Sequence, residues 1–226
     1  MSRPRIAIQL NQLDPLSLGE SVPALEAAGV DEWRVEFSDG VFHPGIEGSA
    51  VLVEALASSS KLPVTAHLRV RHPEPHLERL AKAGCRCIIV HLEACRHLHR
   101  TLDQIRGYGA DAGVALCATT SLTQLEYVLP GLARITVVCN EPGPRAASIT
   151  DSAPERVKIL SANLRYRESR ILLEASGGID PAAAAKLSKF GAAALVLGRE
   201  ALPPAAPPAK AFEAFIETMA AQRHLV

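Results

Sequence analysis

No stretch of this chain is apolar for long enough to cross a bilayer. Net charge is absent too. The 24 Lys and Arg balance the 24 Asp and Glu, which removes the electrostatic case for a nucleic acid or an anionic membrane as partner. The five cysteines are odd in number and scattered singly apart from Cys85-Arg86-Cys87. They make no disulfide framework, and reduced thiols in a cytoplasmic protein are expected. Met1-Ser2-Arg3-Pro4-Arg5 runs into a short apolar strand, not a signal-peptide core. A G-x-G-x-x-G turn is lacking after that strand, where Asn11-Gln12-Leu13-Asp14-Pro15 stands instead, and this weakens a nucleotide-binding fold. There is no internal repeat, heptad array or linker. A single domain over residues 1–226 is expected, because the run Pro203-Pro204-Ala205-Ala206-Pro207-Pro208 lies too near the end to divide two.

What is present is an alternation. Residues 32–40 read as a strand: Trp33, Val35 and Phe37 alternate with Arg34, Glu36 and Ser38 until Asp39-Gly40 breaks the run. Further strands are expected at 6–10, 63–68, 87–91, 112–116, 134–138, 171–175 and 194–197. Helical spacing fills the intervals at 16–28, 51–57, 77–83, 97–108, 122–129, 154–166 and 181–190, with a last helix at 209–223. Pro154 and Pro181 suit first helical turns. Eight strand–helix units, with 48% apolar residues to fill a core, predict one α/β (β/α)8 barrel closed by a parallel sheet.

Barrel enzymes work at the C-terminal ends of their strands. The polar residues there include Gln9, Asn11, Arg34, Glu36, Ser38, Asp39, His67, Arg69, His91, Glu93, Cys117, Cys139, Asn140 and Glu141. Ser176-Gly177-Gly178 and Gly198-Arg199 end the last two strands. Glycines in these two loops let backbone N–H groups approach a phosphate, although tight strand-to-helix turns alone would also use them. A phosphorylated small molecule is therefore the expected ligand. His91, Cys95, His97 and His99 resemble a metal cluster at first sight, but their spacing has no strong zinc signature and no metal is assigned to them. Cys85 and Cys87 read as small buried apolar residues. Cys117 and Cys139 could face the barrel mouth, with no paired base that would make either a nucleophile.

From residue 6 to 202 the chain resembles the ribulose-phosphate 3-epimerase family. The resemblance rests on Lys61-Leu62-Pro63-Val64-Thr65-Ala66-His67-Leu68, Val90-His91-Leu92-Glu93-Ala94-Cys95, His97-Leu98-His99-Arg100-Thr101, Gly177-Gly178-Ile179 and the Asp39-Gly40 turn. It implies a (β/α)8 barrel that interconverts ribulose 5-phosphate and xylulose 5-phosphate, and a homo-oligomer. It also implies two aspartates and two histidines around a divalent metal such as zinc or iron, with the aspartates moving the protons. Position by position, His67 matches. Arg34 stands at the other histidine, Glu36 at the first aspartate and Ser176 at the second. Gln9 or a neighbour stands for a serine, Ser38 and Arg69 for two methionines, and Asn140-Glu141-Pro142-Gly143-Pro144 for an Asn-Pro-Gly loop.

These replacements fall on the chemistry. Arginine cannot ligate a metal, and serine is a poor acid or base near neutral pH. Glu36 and His67 alone are few ligands for a stable site, so no metal cofactor is expected. Glu36, His67 and Arg34 are the expected catalytic residues. Arg34 either holds an enediolate or a substrate carboxylate, or forms a structural ion pair that plugs the former metal position. Gln9, Ser38, Ser176, Gly177, Gly178, Gly198 and Arg199 are the expected substrate contacts. Three functions follow: an epimerase or isomerase of a pentulose phosphate or related sugar phosphate with an altered site; a metal-independent isomerase or lyase on another phosphorylated or acidic substrate; or a non-catalytic barrel that binds sugar phosphates.

Overall fold

The structure is a computed structural model that describes residues 3–141 and 148–223. Its strands are β1 (Arg5–Gln9), β2 (Glu32–Asp39), β3 (Ile46–Glu47), β4 (Val64–Arg69), β5 (Cys87–His91), β6 (Asp111–Leu116), β7 (Arg134–Val138), β8 (Leu172–Ser176) and β9 (Ala194–Leu197). All except β3 are parallel, and β1 pairs with both β2 and β9, so eight strands close into a barrel. The helices are α1 (Leu18–Ala27), α2 (Ala50–Ser59), α3 (Glu74–Lys82), α4 (Leu98–Gly107), α5 (Ala153–Tyr166), α6 (Pro181–Lys189) and α7 (Pro208–Gln222). Asp180 caps α6 by accepting the Ala183 N–H, and Pro154 and Pro181 lie in first turns. No helix among the described residues is long and apolar enough to cross a membrane.

Two elements differ from the sequence pattern. The helix expected at 122–129 is a single 3-10 turn, Leu122–Leu125, started by Ser121, whose hydroxyl accepts the Thr123 N–H. Pro130 disfavours helical backbone at Leu129. The short, β-branched and aromatic run before it cannot repay helix nucleation. Its apolar side is buried all the same through Leu125 and Val128. The second difference is β3, a two-residue strand antiparallel to the end of β2, with Ser38 opposite Glu47. It folds the loop between β2 and α2 back across the barrel mouth.

Alternation along β2 sorts its side chains as expected. Trp33 and Val35 join the apolar shell between barrel and helices, and the Trp33 indole N–H reaches Ser60 Oγ at 2.9 Å. The polar residues of β2 enter the barrel. There Glu32 and Arg34 meet Arg134 and Thr136 of β7 and Glu174 of β8. Arg34 Nη2 donates to both Glu174 oxygens at 2.6 and 2.7 Å. Arg134 donates to both Glu32 oxygens at 2.6 and 2.7 Å and to Glu174 Oε2 at 2.7 Å. Thr136 donates to Glu174 Oε1 at 2.8 Å. Gly113 makes room for this group, because a Cβ there would lie 2.7 Å from Ile89 and 3.4 Å from Arg134 Cβ.

Removing one member of a buried ion network leaves an uncompensated charge, whereas the intact network adds little net stability. Burial alone would raise the Glu174 carboxyl, but Arg34 and then Arg134 bring it down to about 2. A depressed pKa places the linked stabilisation above the ordinary value of 4.5 and removes it as pH falls from there towards about 2. Glu174→Gln is expected to cost roughly 3–5 kcal/mol at neutral pH. The gap to wild type should narrow as pH falls through that window, as measured by urea unfolding at a series of pH values.

Candidate active site

A cavity of about 600 Å³ opens at the C-terminal ends of the strands. Each of the eight barrel strands, or the residue that follows it, contributes to its wall. Gln9, Glu36, His67, Ser176, Gly177, Gly178, Gly198 and Arg199 all line it. Two residues expected there do not. Arg34 is fully buried beneath the cavity, turned to Glu174, with no acceptor for Nε or Nη1 among the described residues. Ser38 is buried as well and is absent from the wall. Ser38 stands at the C-terminal end of β2, where β3 pairs with it. For Arg34 the reason is depth. Glu174 sits one pleat below Ser176 on β8, and its carboxylate draws the long Arg34 side chain down the barrel.

The base of the cavity is organised around Glu36. Asn11 fixes its backbone in both directions: its Oδ1 accepts the Glu36 N–H at 2.8 Å and its Nδ2 donates to the Glu36 carbonyl at 3.0 Å. Glu36 Oε2 lies 2.8 Å from His67 Nδ1 and 3.0 Å from Arg69 Nε. Burial would raise this carboxyl. His67, Arg69 and Arg34 outweigh burial and hold it well below the usual carboxylate range, so it is ionised. Burial pushes the His67 imidazole down to about 4 against the pull of Glu36. Arg69, half-buried, also reaches His43 Nε2 at 3.0 Å and Glu47 Oε2 at 3.1 Å.

The β2–β3 loop carries His43 over the mouth because Asp39 organises it. The Asp39 carboxylate accepts the N–H groups of Val41 and Phe42 at 2.9 Å and of Arg71 at 2.8 Å. The Arg71 N–H contributes most to bringing its pKa down to about 2. Phe42 then packs on the His91 ring, with centroids 4.7 Å apart.

From His67 the polar contacts continue around the wall. His67 Nε2 meets His91 Nε2 at 3.0 Å. His91 Nδ1 lies 3.2 Å from Glu93 Oε2 and 3.6 Å from Cys117 Sγ. Glu93 accepts the Cys117 N–H at 2.8 Å and the Thr120 hydroxyl. Burial would raise its carboxyl, but the contact with His91, then Thr120 and Cys117, brings it down to about 2. Burial, aided by Glu93, pushes the Cys117 thiol up to about 12. His97 and His99 are exposed near the start of α4, so His91 meets Glu93 and Cys117 and not the neighbours that the sequence suggests. Cys85, Cys87 and Cys139 are buried. His43 and Glu47 carry no sequence signal, because only the β3 turn brings them to the site.

At the other side of the cavity, Gly177 and Gly178 both have positive φ, 96° and 65°. A Cβ on Gly178 would lie 2.6 Å from the Ser148 carbonyl carbon, so glycine is required by close approach as well as by conformation. Asn140 and Glu141 line the cavity. Pro142, Gly143 and Pro144 of the expected loop lie outside the described residues.

The model of the Ribulose-phosphate 3 epimerase family matches residues 5–202. The chain is 37% identical to the chloroplastic ribulose-5-phosphate-3-epimerase of Arabidopsis thaliana over 183 residues, which are 80% of this chain and 65% of that one. It is 35% identical to the ribulose-phosphate 3-epimerase of a Synechocystis species over 195 residues, 85% of each chain. Among solved structures, phosphoribosyl anthranilate isomerase from Thermus thermophilus superposes with a TM-score of 0.68 at 14% identity, over 97% of this chain and 100% of that one, and shares the fold.

Arg69→Met, which installs the side chain the family resemblance implies, removes a fixed cation beside Glu36. The Glu36 carboxyl is expected to titrate at higher pH than in wild type, followed by carbon NMR of isotopically labelled glutamate. An unchanged titration would show that Arg69 does not hold the carboxylate down.

Proposed function

The chain belongs to the ribulose-phosphate 3-epimerase family, and from that premise we propose that it acts on a pentulose phosphate or a closely related sugar phosphate. In this reading Glu36 removes the proton from the carbon next to the carbonyl. The observation that carries it is the placement of Glu36: a buried carboxylate on the cavity wall, 2.8 Å from His67 and 3.0 Å from Arg69, in a cavity that Gly177, Gly178, Gly198 and Arg199 also line. A phosphate held by those turns leaves the carbonyl end of a five-carbon chain to reach towards β2 and β4.

Removing this proton puts negative charge on the carbonyl oxygen, which needs a fixed positive partner. Arg69 supplies it in this proposal, since it lines the cavity and lies beside the base. Arg34, for which the sequence left open either this task or a structural ion pair, pairs with Glu174 beneath the cavity. A carboxylate clamped by a guanidinium is a weak base, so a shift of Arg69 from Glu36 to the developing enediolate would raise the basicity of Glu36 as it accepts the proton. His67 Nδ1 stands 2.8 Å from the carboxylate.

The divalent metal that the family resemblance implies does not fit its four positions here. One is occupied by a guanidinium neutralised from below and another is the uncharged Ser176. The Glu36 carboxylate already has a cation 3.0 Å away. These observations support a reaction without a metal at those positions. Ser176 also lacks the second acid or base that epimerisation requires on the opposite face of the substrate. That favours a second reading, in which Glu36 shuttles a proton between neighbouring carbons on one face and the product is an aldose phosphate.

Ribulose 5-phosphate incubated with the protein in deuterium oxide and followed by NMR separates these readings. Deuterium at carbon 3 with xylulose 5-phosphate formed is the expected outcome for epimerisation. Deuterium at carbon 2 of an aldose phosphate, with deuterium at carbon 1 of the recovered ketose, supports one-face isomerisation. Glu36→Gln is expected to slow either exchange by roughly 100-fold or more. No exchange at any carbon, with calorimetry showing that the sugar phosphate binds, would leave a non-catalytic barrel and overturn the proposal.

A further inference from the structure

We propose that His91 Nδ1, Glu93 Oε2 and Cys117 Sγ form a site for a thiophilic divalent transition-metal ion such as zinc, on the cavity wall and apart from the positions of Arg34, Glu36 and Ser176. The three donors lie within 4.8 Å of one another. They come from the end of β5, the turn after it and the residue after β6. His91 Nδ1 is 3.2 Å from Glu93 Oε2 and 3.6 Å from Cys117 Sγ. A tetrahedral zinc with ordinary bond lengths separates its nitrogen and oxygen ligands by about 3.3 Å and its nitrogen and sulfur ligands by about 3.6 Å. The donors therefore already stand near coordination spacing.

The surroundings aim each donor at the same point. The other oxygen of Glu93, Oε1, accepts the Cys117 N–H and the Thr120 hydroxyl, which leaves Oε2 for the ion. His91 is set through its second nitrogen, which lies 3.0 Å from His67 Nε2. With the His91 proton on Nε2 in that contact, Nδ1 keeps a lone pair beside Glu93 Oε2 and Cys117 Sγ, the form of the ring that ligates a metal. A second ring nitrogen engaged by a neighbouring group in this way is the usual support for a metal-bound histidine.

The donor set selects the class of ion. Nitrogen, oxygen and sulfur together suit zinc, cobalt or ferrous iron and not magnesium or calcium. His91 and Cys117 both line the cavity, so three protein ligands leave a coordination position for a molecule bound there. The inference rests on these donors alone and not on the reaction proposed above.

Cobalt(II) titration of the chelator-stripped full chain tests it. One equivalent is expected to bind with tetrahedral visible bands and a near-ultraviolet thiolate-to-cobalt band. Cys117→Ser, checked for folding by circular dichroism, is expected to lose that near-ultraviolet band and to bind zinc at least roughly 10-fold more weakly. Alkylation of Cys117 in the wild-type chain, mapped by peptide mass spectrometry, keeps the test independent of any variant. Zinc should slow it at least roughly 10-fold. Absence of the thiolate band in wild type, its persistence in Cys117→Ser, or alkylation of Cys117 at one rate with and without zinc would overturn the site and identify the His91–Glu93 contact as a proton-held pair.

Discussion

The bond from Arg34 to Glu174 crosses the barrel from β2 to β8 and sets what lies above it. Both side chains are fully buried, and the guanidinium gives Nη2 to both carboxylate oxygens. Arg134 and Glu32 complete the group, so the barrel floor is ionic where many barrels are filled by branched aliphatic side chains. Such a floor is worth little in net stability, but its loss one charge at a time is costly. It therefore constrains the position of every member more strongly than it stabilises the fold.

That constraint reaches the cavity. With Arg34 drawn down, Arg69 is the guanidinium that meets Glu36, and its other nitrogens meet His43 and Glu47 from the β2–β3 loop. Charge at the base of the cavity is balanced by a residue from β4 and not by the neighbour two positions away on β2. From Glu36 the polar contacts run through His67 and His91 to Glu93 and Cys117. Acidic groups thus stand at both ends of a pair of imidazoles, and the proton positions between them are coupled. The proposed base and the proposed cation site share this chain, so a ligand or ion at one end changes the electrostatics at the other.

Much of the fold was legible. Short apolar runs spaced by helical stretches located the eight barrel strands, and Trp33 and Val35 lie on the outer face that the alternation along β2 assigns. The helix expected at 122–129 was misread because apolar spacing there reports burial, which Leu125 and Val128 do achieve, and not the backbone state, which a run this short before Pro130 does not hold as helix. β3 left no signal, since two residues carry no period. Gln9, Glu36, His67, Ser176 and the glycine turns were placed at the cavity by their position at strand ends alone. Alternation gave Arg34 the right face but could not give its depth, and it could not show that β3 pairs along Ser38.

By itself, then, the sequence determined the barrel, the end of it that carries the cavity, and the residue types available there, because strand period and strand end are local properties of the chain. Only the tertiary structure decided which charges pair. Arg34 and Glu174 are 140 positions apart, and Cys117 and His91 are 26. Long side chains inside a closed sheet can turn up or down the axis, and the choice depends on partners that closure brings together. For Arg34 that partner is Glu174, and the enediolate role, one of the two that the sequence left open for it, passes in our proposal to Arg69.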